Sequence, residues 1–280
     1  MTSLIIGTFV VVAAAVLSGI GLLCVRRVVG LEVLKSYNEV AGNMFQVVGT
    51  LYAVLLGLIV VDAMSNMNDL RVILEEEAND VCDVFIIARG FHEPERTKIQ
   101  TLCKQYVDAV IDHEWVAMRT ATVSKEGLAA VNNLWDALVD MEPNDDDEKE
   151  LKSMALDHVS EAGDNRRKRI LASMMGVSTE LWTVLAVGGF LTIGFSYFLG
   201  LSSVRGQVLM TAIVAVSVSL NVYLVYLFGY PFSGPYALRP IPFIADRAIF
   251  NFRTSDAYEN GEFQDVKLHD VLRKHEGRAP

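Results

Sequence analysis

Residues 44–64 read MFQVVGTLYAVLLGLIVVDAM, an apolar run whose one charge, Asp62, falls near its end. A helix of about 20 apolar residues crosses a bilayer. In lipid the backbone must satisfy its own hydrogen bonds, so such a run is helical. Three further runs share this character: Leu4–Val25, followed by Arg26 and Arg27; Leu181–Val204, opened by Trp182 as an interface anchor; and Gln207–Tyr230. No positive residue precedes the first run, and it is too long for a signal-peptide core, so it is expected to be retained. All seven prolines lie outside the four runs, and Pro231 ends the last. The third and fourth spans are expected to form a hairpin about a turn at Arg205-Gly206.

Apolar residues make up 52% of the 280 and charged residues 21%, which excludes an ordinary soluble enzyme and a disordered chain. A net charge of −10 argues against nucleic-acid binding. Cys24, Cys82 and Cys103 are odd in number and form no CxxC pair, so they are expected to be free thiols.

Between the second and third runs lies an insert, residues 65–180, with 13 Lys+Arg against 24 Asp+Glu. Its apolar residues recur at helical spacing. Val72, Leu74, Val81, Val84, Phe85 and Ile87 continue the second span without a breaker, predicting one helix from about Met44 to Arg89. Pro94 opens the next helix and Ser124 caps a third over Lys125–Met141. A fourth follows Pro143 and ends near Met175-Gly176, and Ser178 or Thr179 caps the third span. The expected fold is therefore an all-α integral membrane protein. Residues 1–64 hold the first two spans, 65–180 an acidic helical insert, 181–230 a transmembrane hairpin and 231–280 a polar tail.

Asp62 is the sharpest single candidate, because a carboxylate inside a span is costly and marks function by default. Its bland alternative is a residue reaching headgroup water at the span's end. Gly49, Ala53 and Gly57 recur every four residues, the spacing at which small residues let helices approach closely. Leu51, Leu55, Leu58 and Asp62 lie on the opposite side of the wheel and face either lipid or a pore constriction. The run Asp145-Asp146-Asp147-Glu148 lacks the glycine and the spacing of a calcium loop and is expected to support a helix N-terminus; no metal site and no cofactor are expected. Asp112, His113 and Glu114 are adjacent and point in different directions, so they form no site alone. No HExxH, GxSxG or phosphate-cradling glycine loop is present, and no enzyme is expected. Ser217, Ser219 and Asn221 are expected to bond between helices.

The segment Val48-Gly49-Thr50-Leu51-Tyr52-Ala53-Val54-Leu55-Leu56 resembles the second-span signature of the bestrophin-like domain family. Glu77-Ala78, Tyr106-Val107, Glu114-Trp115, Leu181-Trp182 and Pro231-Phe232-Ser233-Gly234 follow in the family's order. The name of that family rests on a distant similarity to bestrophins, which are pentameric ion channels whose second helices line the pore. The resemblance implies a homo-oligomeric ion channel in the lipid bilayer, passing inorganic ions. It also implies a multi-pass protein, expected in the bacterial inner membrane. Arginines in the two short loops favour an external insert by the positive-inside rule, whereas the resemblance and the basic residues at the insert's membrane ends favour a cytoplasmic insert and tail, which is the expectation adopted. A ring of Asp62 carboxylates would favour cations. The competing function is a non-conducting membrane protein whose insert binds a partner or senses stress. A flagellar-stator-type proton channel fits less well, since the third span lacks that type's proline.

Overall fold

The computed structural model describes residues 2–234 and 236–254, and no strand occurs among them. The chain divides into two compact units: residues 1–67, 176–230 and 234–236, and residues 68–175, 231–233 and 237 onward.

The first unit holds four helices long and apolar enough to cross a membrane. Helix α1 is Thr2–Val29 and is followed by the short α2, Leu31–Ser36, after Gly30 at φ 81°. That left-handed conformation suits glycine. Helix α3 is Asn38–Ile87, unbroken over 50 residues, as the apolar periodicity and the lack of proline require. It passes from the first unit into the second. Helix α8 is Thr179–Tyr197, capped by the Ser178 hydroxyl accepting from Leu181 N–H. Helix α9 is Val204–Phe228 and lies along α1.

The link between α8 and α9 departs from the expected turn at Arg205-Gly206. The third span stops at Tyr197, residues 198–203 form the connection, and Arg205 and Gly206 belong to the first turn of α9. The link has its own partners, near and far in sequence. Ser203 caps α9 by accepting from Gly206 N–H, and the six-residue link is stapled by side chains from three helices. Asn38 exchanges two bonds with Gly200, its amide donating to the Gly200 carbonyl at 3.2 Å and its Oδ1 accepting from Gly200 N–H at 2.6 Å. Arg26 donates to the Leu201 carbonyl at 2.9 Å and to Gln207 Oε1 at 2.6 Å. Gln207 donates to the Leu199 carbonyl at 2.6 Å. These partners satisfy the carbonyls of Leu199, Gly200 and Leu201. At 1.5 Å per residue, the 19 residues of α8 reach about 28 Å, close to the hydrocarbon thickness.

Inside this unit Tyr52, Leu56, Ile59, Leu185 and Val225 form the packed centre. Tyr52 lies against Gly188 and Gly189, where a Cβ would collide with its ring, and its hydroxyl donates to the Leu185 carbonyl at 2.8 Å.

The second unit contains the distal half of α3, a 3-10 turn at Ala88–Gly90, α4 (Glu95–Ala109), a π turn at Val110–Glu114, α5 (Trp115–Met118), α6 (Lys125–Asp140) and α7 (Asp146–Met174). The Ser124 and Asp145 side chains cap α6 and α7. Residues 231–254, within the expected polar tail, supply α10, Ile241–Arg253, whose Phe243, Ile244 and Phe250 are buried. Phe250 stacks on Phe85 of α3 at 4.1 Å between centroids. The charged remainder, residues 255–280, lies outside the described residues.

Candidate functional site

Along the membrane part of α3, the side facing the packed centre is Tyr52, Leu56, Ile59 and Ala63. Leu51 and Leu58 are exposed on another side of the same helix, 67% and 65%. Leu55, expected beside them, is only half-exposed and packs at the edge of the buried cluster, because it lies on the wheel between the leucine side and Tyr52. Asp62 is exposed and accepts from the Asn66 amide at 3.3 Å, one helical turn on. Gly49 and Gly57 meet nothing within 4 Å of a Cβ built on them, and Ala53 is exposed. The close helix contact expected at these three is thus not made within the chain. Glycines that do admit a neighbour include Gly7 and Gly21 of α1, which receive Tyr223 and Tyr197, and Gly188 and Gly189 of α8.

The register of α3 carries the exposed side further. Asp62, Asp69, Glu76 and Asp83 recur every seven residues and all four are exposed. Seven residues are nearly two turns, so these carboxylates form one stripe, each about 10 Å from the next and drifting about 20° per step. The one basic residue in α3, Arg71, falls on the other side of the helix.

A second constellation, buried in the extramembrane unit, joins residues far apart in the chain. Arg169 of α7 is fully buried. It donates from Nε to Glu77 Oε2, and from Nη2 to both Glu77 Oε1 and Glu114 Oε2, each at 2.7 Å. Arg166, one turn earlier, donates from Nε to Glu114 Oε1 at 2.8 Å, with Nη2 on the same oxygen. The Tyr106 hydroxyl donates to Glu77 Oε1 at 2.6 Å. The Arg169 guanidinium also lies 5.8 Å from the Trp115 ring centroid and 5.7 Å from that of Phe243. Two carboxylates face two guanidinium groups, so the charges cancel and every oxygen is bonded.

Burial by itself would lower the Arg169 pKa. The carboxylates of Glu77 and then Glu114 outweigh it and raise it above the ordinary arginine value. Burial, and then the charge of Glu77, push the Tyr106 phenol well above its usual range. Both groups therefore hold their protons, and the arrangement binds charge to charge without moving protons. The π turn contributes by re-aiming the chain: its wider coil turns Glu114 and Trp115, neighbours in sequence, both into the interior. The Trp115 indole then donates to the Leu238 carbonyl at 3.0 Å.

Glu114 thus belongs to a site after all, assembled from residues 52 and 55 positions away. The signal for its partners was present in α7. Ala155, Val159 and Ala162 are core-facing, and their spacing leads directly onto Arg166 and Arg169. Charged residues in register with an apolar face point to a buried network.

The Asp145–Glu148 run divides. Asp145 caps α7, Asp146 and Asp147 are exposed, and Glu148 turns inward. The Glu148 carboxylate accepts from Asn144 N–H at 2.7 Å and His92 N–H at 2.6 Å, and these donors hold its pKa down at about 2. Asp246 of α10 is the opposite case. It is buried with Oδ2 unpartnered, and burial, aided by the Asp83 charge, pushes its carboxyl up to about 7.

Four apolar helices and a helical unit with a charged interior define an all-α integral membrane protein. The Bestrophin-like domain profile matches residues 11–243, and the chain belongs to that family. No curated protein and no solved structure matches it.

Proposed function

We propose that the protein is a homo-oligomeric ion channel whose second span, α3, lines the conduction path and whose selectivity favours cations. The observation that carries this reading is the seven-residue stripe Asp62, Asp69, Glu76 and Asp83 on an exposed side of one continuous helix, below the exposed Leu51 and Leu58. Brought around an axis by copies of the chain, the leucines would form an apolar constriction and each acidic step a ring of carboxylates. Such rings concentrate cations and repel anions. Membership in the bestrophin-like family supports the oligomer by analogy, with five subunits the number that the resemblance to bestrophins suggests. Gly49, Ala53 and Gly57, open within the chain, suit the approach of a neighbouring subunit's helix. The insert and tail are taken as cytoplasmic.

The test is recording from purified protein in planar bilayers under a salt gradient. The reversal potential of the wild type should sit toward the cation limit, and Asp62→Asn should shift it toward zero. Chloride preference, or a ratio unchanged in Asp62→Asn, ends the ring reading. Absence of any conductance supports instead the non-conducting membrane protein whose helical insert binds a partner.

A further inference from the structure

On α7, His158 and Glu161 are three residues apart and share a face of the helix. Across from them on α3 stands Asp80. His158 Nδ1 lies 3.1 Å from Asp80 Oδ1, and one ligating atom from each of the three residues falls within 4.8 Å of the others. We propose that Asp80, His158 and Glu161 form a binding site for a divalent transition metal of the zinc class.

The donor chemistry favours this class. An imidazole nitrogen with two carboxylate oxygens suits zinc and its neighbours, whereas calcium and magnesium call for oxygen ligands only. Three protein ligands leave a fourth position for water, the pattern of an open tetrahedral site. Ligands at about 2.0–2.1 Å from a tetrahedral zinc lie about 3.3 Å from one another. The ligating atoms, all within 4.8 Å of one another, lie within about 1.5 Å of that spacing. The three residues also offer both rigidity and access. Asp80 is buried and held by a continuous helix, while His158 is half-buried and Glu161 exposed, so an ion can enter from solvent. Two carboxylates against one imidazole leave negative charge that a divalent cation balances. Asp83, also on α3, adds to the attraction.

The consequence is mechanical. An ion held here ties α7 to the same helix that forms the second membrane span. The proposal does not depend on conduction.

Untagged full-length protein in detergent, stripped with a chelator, is titrated with zinc chloride against a chromophoric competitor. About one zinc per chain should bind. His158→Ala and Asp80→Asn should each weaken binding at least tenfold, as should Glu161→Gln, which alters an exposed side chain and leaves folding intact. Calcium and magnesium at millimolar concentration should not displace the zinc. Cobalt bound in place of zinc should show no thiolate charge-transfer band. Failure of the wild type to bind, undiminished binding in Glu161→Gln, or a thiolate band pointing to the cysteines would each overturn the assignment.

Discussion

Replacing Arg169 with methionine keeps the bulk of the side chain and removes its charge. The carboxylates of Glu77 and Glu114 then remain buried, with Arg166 left to balance both. Three hydrogen bonds of 2.7 Å to carboxylate oxygens are lost at once. Breaking a buried ion pair by removing one partner costs about 3–5 kcal/mol, because the other charge is stranded. Urea suits the measurement, since apolar spans in a micelle resist it and the transition reports the extramembrane unit. Its course is followed by fluorescence of Trp115, which packs against Arg169. Arg169→Met should lower the unfolding free energy by about 3–5 kcal/mol, and Arg169→Lys by less, since an ammonium keeps the charge although it cannot span both carboxylates in the same fork. The double variant Glu77→Gln/Arg169→Met restores charge balance around Glu114 and Arg166, and it should be more stable than the sum of the two single losses. A loss below about 1 kcal/mol in Arg169→Met, or strict additivity in the double variant, would refute the claim that charge balance holds this interior together.

Gly127→Ala places a methyl group against the Glu114 side chain, which its two arginines hold in place; a loss of about 1–3 kcal/mol in the same urea assay is expected, and an unchanged midpoint shows that Glu114 can yield. Gly57→Leu should shift the protein to a smaller species in mild detergent if this open face receives a second subunit; an unaltered elution volume assigns the face to lipid. Asp246 has a folded-state pKa of about 7, above the unfolded value of about 3.9. Its proton therefore contributes stability that is fully present below about pH 4 and lost as pH rises through 7. Wild type should weaken from about pH 4 to about pH 7, by at most about 4 kcal/mol, and level off above that, while Asp246→Asn should not; a flat wild-type profile across that range contradicts the raised pKa.

The four spans, the long α3, the cap at Ser124 and a cap at Ser178 or Thr179 were legible in the sequence because each is a local matter. Run length, the 3.6-residue period and the nearest hydroxyl before a helix decide them, and lipid leaves the backbone no alternative. Even there the boundary of the third span moved, from Val204 to Tyr197, because Arg26 and Asn38 reach the link from outside the hairpin and Gln207 reaches back to it from α9. Helix α10 escaped notice for a related reason: its Phe243 and Phe250 look like stray aromatics in a polar tail until Phe85 and Trp115 stand opposite them. The acidic stripe was readable in register, yet its exposure depended on which sides of α3 other helices cover. Glu77, Glu114, Arg166 and Arg169 were all visible as residue types, two within motifs of the family and two within a basic cluster. Only the tertiary structure paired them, across 92 and 52 positions of sequence. Local spacing dictates which side of a helix a residue occupies, but the energy of a buried charge depends on what the fold places against it.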